Sequence, residues 1–279
     1  MPRYSIAVDV SRCDGCGSCL IACKDEYCLN DHLPLSAQMP MMGQQWLKLK
    51  EVEQGENWKV KMDYIPEMCQ HCENPKCAEG APEGAVYTRP DGIVIIDPVK
   101  AKGCREMVEK CPYGAISWNE EAQLPQKCTM CAHMLDNGEV TTRCVESCPT
   151  QAIFFGDLDD PESPISKFIA ERDGGFEAYK PELGTNPRIL YKELPKVFVA
   201  GEVMLCDSDD CVEGAKVTMK CSCGKVKETE TDCFGDFEFK GLKEGAEIEV
   251  ICSYPGYQDK SVKLVLDAAK DLGVIVLDK

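Results

Sequence analysis

Apolar and polar positions follow two different patterns along this chain. Up to about residue 155 the apolar runs are short, at 5–10, 92–96 and 152–155, and predict strands set among clusters of cysteine. After residue 196 apolar residues recur at alternate positions, at 198–205, 215–221, 237–239, 248–251, 262–266 and 274–277, with Gly- and Asp-bearing turns between the runs. Several short, regularly spaced strands of this kind predict a small β-sandwich over 197–279. Between the two regimes, 156–196 is rich in Asp, Glu, Pro and Gly. It predicts a connecting segment lying on the first region, with one helix near 166–172.

Composition sharpens the picture mainly through cysteine. The chain has 279 residues, enough for two modest domains, and 20 cysteines, fourteen of them between Cys13 and Cys148. Disulfides explain such density in chains of under about 100 residues that lack a sufficient core, and this chain needs no such staples. No apolar stretch approaches the roughly 20 residues of a membrane helix, and the opening MPRYSIAVDV lacks the apolar run of a secretory signal. The chain is therefore expected neither to insert into a membrane nor to export itself. A formal net charge of −17 repels a phosphate backbone, so nucleic acid is not an expected partner. The acidity reads as a solvated surface.

The cysteine spacing carries the chemistry. The first group is Cys13-x2-Cys16-x2-Cys19-x3-Cys23. In ferredoxins this spacing wraps three thiolates around one [4Fe-4S] cluster and sends the fourth to another, so such groups work in pairs. Candidate partners are Cys69-x2-Cys72-x4-Cys77, then Cys104 and Cys111-Pro112, then Cys128-x2-Cys131 with Cys144-x3-Cys148-Pro149. Paired Cys-x2-Cys units also make zinc sites, but zinc ribbons do not use the four-cysteine run of the first group. Iron-sulfur is the reading taken. His71 and His133 stand beside cysteines and read as supporting or packing groups, since cysteine already fills the ligand count. No nucleophile–base pair, Walker loop or GxGxxG is present, so no catalytic residue is expected on this chain.

At DVSRCDGCGSCLIACK, CQHCENPKC, CPYGAISWN, KCTMCAHML and RCVESCPTQAIFF the chain resembles the ferredoxin-like iron-sulfur subunits of molybdopterin oxidoreductases related to dimethyl sulfoxide reductase. That resemblance implies the fold class, α+β: a ferredoxin-like domain over 1–155 followed by a small all-β, immunoglobulin-like sandwich. It also implies the ligand sets: Cys13, Cys16, Cys19 and Cys148 for one cluster, Cys23, Cys128, Cys131 and Cys144 for another, and Cys69, Cys72, Cys77 and Cys111 for a third. Members of this family usually hold four clusters. Where the family pattern puts the remaining cysteines this chain has Ala81, Ala101 and Met107, leaving only Cys104, so three [4Fe-4S] clusters are expected. Cys104 and Cys28 then read as small apolar side chains.

The resemblance implies a partner as well: a large catalytic subunit carrying molybdenum or tungsten on bis-molybdopterin guanine dinucleotide, in a heterodimer or a higher assembly. The lost fourth cluster and the carboxyl-terminal sandwich resemble the transhydroxylase branch of the family, in which a hydroxyl group moves between polyhydroxylated benzenes. That branch implies a cytoplasmic location. Aromatic hydroxylases or dehydroxylases, and respiratory reductases of the same family, are the competing readings. The sandwich, similar to carboxypeptidase-regulatory or collagen-adhesin B-type modules, carries Cys206, Cys211, Cys221, Cys223, Cys233 and Cys252 without a cluster spacing. They read as free thiols, with a disulfide as the alternative.

Overall fold

The structure is a computed structural model that describes residues 1–208 and 211–279. It divides into two compact units, one of residues 1–51 and 63–194 and one of residues 52–62 and 195–279.

The first unit contains, in chain order, β1 (Tyr4–Asp9), α1 (Ser18–Tyr27), the outer parts of β2 (Leu47–Glu56) and β3 (Lys59–Met68), β4 (Val86–Thr88), β5 (Val94–Ile96), α2 (Met107–Lys110), β6 (Ser117–Asn119), β7 (Leu124–Gln126), α3 (Ala132–Asp136), α4 (Arg143–Glu146), β8 (Ile153–Asp157), α5 (Pro164–Ala170), β9 (Glu177–Ala178) and β10 (Ile189–Lys192). Its main sheet has the order β8-β1-β10-β9, with β1 antiparallel to β8 and parallel to β10. β1 is buried along nearly its whole length rather than on alternate residues, as befits a central strand with cover on its faces. One cover is α5, whose Ile165 and Phe168 pack on Ala7, while Phe154 stacks on Phe168 at 3.9 Å. Pro164 opens α5 directly after Ser163, where its missing N–H costs nothing and its fixed φ suits the helix.

Two expectations for 156–196 need correcting. The segment is not a connector but part of the first unit's sheet: β10 lies in register beside β1, pairing Ile6 with Ile189 and Val8 with Tyr191. The helix runs over Pro164–Ala170 rather than 166–172, because Pro164 fixes its start and Gly174 takes a positive φ just beyond its end.

The helices near the cysteines are short. Isolated helices of four to ten residues are unstable in water, so tertiary contacts must hold them. α1 follows Gly17, which has a φ of +75°, and buries a narrow stripe, Cys19, Cys23 and Tyr27, spaced four apart along one face.

The second unit contains β11 (Val197–Leu205), β12 (Lys216–Cys221), β13 (Val226–Glu230), β14 (Asp236–Leu242), β15 (Ala246–Ser253), β16 (Lys260–Leu266) and β17 (Lys270–Leu277). They form two sheets, β14-β11-β17 and β13-β12-β15-β16. Val199, Val203, Phe237, Phe239 and Ile275 from the first meet Val217, Met219, Ile248, Val250 and Cys252 from the second in one core. Inward and outward residues alternate along β12 and β14, as two facing sheets require. The strand β13 and the β2–β3 pair were not expected. The tip of that pair belongs to this unit, and Lys59 and Lys61, two apart and hence on one face, form ion pairs with Asp236 and Glu238 of β14.

Candidate iron-sulfur site

The cysteines of the first unit fall into three neighbourhoods. Cys13, Cys16, Cys19 and Cys148 line one cavity, closed by Leu49, Pro66 and Ile153. Burial pushes the Cys19 thiol up to about 12, and the neighbouring Cys13, Cys148 and Cys16 add to the effect. In the second neighbourhood, burial holds the Cys23 thiol well above its ordinary value, with Cys128, Cys144 and Cys131 as the next influences. In the third, burial raises Cys77 to about 12, and Cys69, Cys111 and Cys72 push in the same direction. Thiols influence one another in this way only when they are close.

The second set neighbours both of the others. Cys144 of the second feels Cys19 of the first, and Cys128 of the second feels Cys69 of the third. Chain direction explains part of this arrangement. α1 carries Cys19 into the first set and, one turn later, Cys23 into the second; α4 begins beside Cys144, and the chain reaches Cys148 in the first set four residues on. The middle set is the most enclosed, with Cys23, Cys131 and Cys144 buried, while Cys16 of the first is exposed.

Each set receives backbone N–H groups on sulfur. His71 donates to Cys69 Sγ at 3.4 Å, Ala115 to Cys111 Sγ at 3.4 Å, Met130 to Cys128 Sγ at 3.3 Å and Ala152 to Cys148 Sγ at 3.2 Å. Such donors stabilise a thiolate and are of little use to a neutral thiol. Aiming them costs backbone strain: His71, Met130, Cys131 and Gln151 all have φ between +43° and +54°, a region that non-glycine residues usually avoid.

These sets suit a polynuclear group better than one zinc ion. Zinc–sulfur bonds of 2.3 Å place tetrahedral sulfurs about 3.8 Å apart. Among the described residues, the set of three potential ligands whose atoms all lie within 4.8 Å of one another is Glu26, His32 and His133, which contains no cysteine. Among the described residues no three thiols of a set close within that 4.8 Å, wider than one zinc ion draws its sulfurs, and all four donors in each set are sulfur, the usual donors of a [4Fe-4S] cluster.

Ala101, Cys104 and Met107 lie beside the third set, in an apolar cluster with Ala85, Ile96 and Ile116 against which Ala81, Cys77 and Cys111 pack. Met107 is 1 % exposed and fills this space as a core side chain does. Cys28 is partly buried, at an isolated bridge to Met39. Among the described residues of the second unit, Cys206, Cys221, Cys223, Cys233 and Cys252 are free thiols, and Cys252 is buried in its core.

Polar residues that the spacing did not single out surround the thiols. Tyr27, 1 % exposed, shares a 2.7 Å hydrogen bond with Thr129. Glu26 binds His133 Nε2 at 2.8 Å through one oxygen and Arg143 through the other. Burial alone would raise the Glu26 carboxyl, but the hydrogen bonds from Arg143 and then His133 hold it below the usual range. His133 is thus a partner of Glu26. His71, 1 % exposed, accepts the Val94 N–H on Nδ1 at 3.1 Å. Burial, then the charges of Lys127 and Arg188, keep its pKa well below normal, so the ring is neutral with its proton on Nε2. Lys127, 3 % exposed, donates to the carbonyls of Val94 and Cys128.

The 4Fe-4S dicluster domain matches the chain twice, over residues 12–85 and 60–158. With the thiol sets above, these matches define an iron-sulfur protein of the ferredoxin type. Pyrogallol hydroxytransferase small subunit of Pelobacter acidigallici is 39 % identical over 285 residues, covering 99 % of this chain and 100 % of that one. A subunit of the tetrathionate reductase of Salmonella typhimurium is 36 % identical over 197 residues, covering 71 % and 75 %. A subunit of the anaerobic dimethyl sulfoxide reductase of Escherichia coli is 36 % identical over 160 residues, covering 57 % and 75 %. The chain belongs to the iron-sulfur subunits of the dimethyl sulfoxide reductase family of molybdopterin oxidoreductases.

Proposed function

We infer that this chain is the electron-transfer subunit of a molybdopterin-dependent transhydroxylase acting on polyhydroxylated benzenes, and that it holds three [4Fe-4S] clusters. Cys13, Cys16, Cys19 and Cys148 would hold the first, Cys23, Cys128, Cys131 and Cys144 the second, and Cys69, Cys72, Cys77 and Cys111 the third. Each such group, when bound, takes up and gives back one electron at a time. The observation that carries the reading is the gathering of twelve cysteines into three sets of four, the second neighbouring both of the others. The short loops and helices fix the thiols, the backbone N–H groups stabilise their charge, and the burial of Cys23, Cys131 and Cys144 keeps water from the middle set.

Chemistry on substrate belongs to a large partner subunit with molybdenum or tungsten on bis-molybdopterin guanine dinucleotide, in a cytoplasmic complex. The transhydroxylase reading is preferred over a reductase because the similarity to the small subunit of pyrogallol hydroxytransferase includes the second unit. We read that unit as an immunoglobulin-like module that meets the partner or a second heterodimer. No helix among the described residues is long and apolar enough to cross a membrane.

The test is metal and acid-labile sulfide analysis of the anaerobically purified native complex, with electron paramagnetic resonance before and after dithionite and an assay of pyrogallol conversion. About twelve iron and twelve sulfide per copy of this chain, beyond any the large subunit holds, together with molybdenum or tungsten and conversion of pyrogallol, is the expected result. Zinc without sulfide overturns the cluster reading, and about sixteen iron overturns the count.

A further inference from the structure

A lysine next to a cysteine in sequence ordinarily reaches into water. Lys127 does not: it is 3 % exposed, and its ammonium meets the carbonyl oxygens of Val94 and Cys128 and no acidic side chain among the described residues. Its position is built with care. It follows directly on β7, whose last residue, Gln126, uses both ends of its amide: Nε2 donates to the carbonyls of Ala37 at 2.8 Å and Gln38 at 3.0 Å, and Oε1 accepts from Gln44 at 2.7 Å and Asn119 at 3.0 Å. Val94, which accepts from Lys127, also donates its N–H to His71 between Cys69 and Cys72. Lys127 therefore stands where the second and third thiol sets meet, attached to Cys128 of one and tied through Val94 to the loop of the other.

A buried ammonium costs several kcal/mol unless charge compensates it, and two carbonyl dipoles are a partial compensation. The nearby groups able to supply negative charge are thiols, which become thiolates only when they bind metal.

Resting on the cluster reading above, we propose that Lys127 is a fixed counter-charge for the second and third thiolate sets and that it biases an added electron toward them. Reduction at either set would add one electron and no proton. The lysine's charge would favour the reduced form of whichever cluster is nearest.

The experiment is a redox titration of the native complex followed by electron paramagnetic resonance, with Lys127→Met, Lys127→Gln and Lys127→Arg compared with the unaltered chain. Iron and sulfide are counted in each. The unaltered complex tests the cluster reading by itself, and absence of iron and sulfide there would sink that reading before Lys127 is touched. With clusters present, both neutral variants should lower the reduction equilibrium constant of at least one cluster tenfold or more, about 59 mV for a one-electron couple. Arg should restore most of the shift. Loss of clusters from both neutral variants but not from the Arg variant also supports a charge role. Full iron content with unchanged midpoints in the neutral variants overturns the proposal, as does cluster loss in all three, which would make Lys127 a packing residue.

Discussion

Arg172 donates its Nε to the carboxylate of Asp9 at 3.1 Å and lays its guanidinium over the Phe168 ring, 3.8 Å from the centroid. Asp9 is 5 % exposed, ends β1 and stands four residues before Cys13. The ion pair thus ties the end of the central strand to α5 just where the chain leaves for the first thiol set. Breaking one side of a buried pair leaves the other charged and unpaired, at a cost of about 3–5 kcal/mol. Arg172→Met should lower the thermal midpoint by about 6–12 °C, and Asp9→Asn in the same chain should recover part of it. Differential scanning calorimetry of the complex reads both, and an unchanged midpoint for Arg172→Met would show that the pair adds nothing.

The apolar cluster around Met107 separates ligand cysteines from packing cysteines. Cys111 packs against it and Cys104 lies within it, but Cys111 takes the Ala115 N–H on sulfur and influences Cys72 and Cys77, whereas the Cys104 thiol makes its hydrogen bond to the Lys102 carbonyl at 3.9 Å. Cys104→Ala should leave iron content unchanged. Cys111→Ala should remove about four iron or leave a three-iron remnant. Met107→Ala, which empties a buried site, should cost about 2–5 kcal/mol with no loss of iron from the assembled protein. Iron loss with Cys104→Ala would mean that this space takes part in binding.

The candidate thiols could be picked out in the sequence because cysteine spacing is local. Cys13-x2-Cys16-x2-Cys19-x3-Cys23 points to iron-sulfur chemistry by itself, and the resemblance suggested which distant group completes it. The alternating strands of the second unit were legible for the same reason, since one face of each is buried and one is wet. Long-range relations were not. β10 pairs with β1 across more than 180 residues, and its text, between prolines and acidic residues, looks like a linker. β2 and β3 carry lysines and glutamates and bury little of either face, so no period stands out. Lys127 reads as a surface charge until its surroundings are known, and Glu26 reveals its role only when Arg143 and His133, more than 100 residues away, are brought beside it.

Cys223 gives a reactivity prediction in the second unit. It is exposed, its N–H donates to Cys221 Sγ at 3.2 Å, and its thiol pKa lies below the ordinary 9.0 because Cys221 and then the Lys225 backbone N–H stabilise the thiolate. A lowered pKa places more thiolate at neutral pH, so alkylation should accelerate as pH rises and level off below the pH at which an ordinary thiol does. Iodoacetamide labelling followed by peptide mass spectrometry should find Cys223 modified before the exposed Cys206 and Cys233 at pH 7. Equal rates for all three would show that the turn around Cys221 does not activate it.

The raised thiols of the first unit set how the clusters should respond to acid. Burial holds Cys23 and Cys144 well above the ordinary thiol range and brings Cys128 to about 12, with neighbouring thiols adding to it, so in the metal-free protein these groups are protonated at neutral pH. Holding iron requires them as thiolates, so each bond made releases a proton and each bond broken takes one up. Binding is therefore strengthened as pH rises and weakened as it falls. The middle set, with the most buried thiols, should show the steepest dependence. Anaerobic chelator challenge between pH 6 and 8.5, followed by absorbance near 400 nm and by electron paramagnetic resonance, should give faster loss at the acid end. Because α1, α3 and α4 are too short to persist alone, far-ultraviolet circular dichroism should report helix loss with the iron. Retained helix after complete iron removal would mean that packing alone holds these segments.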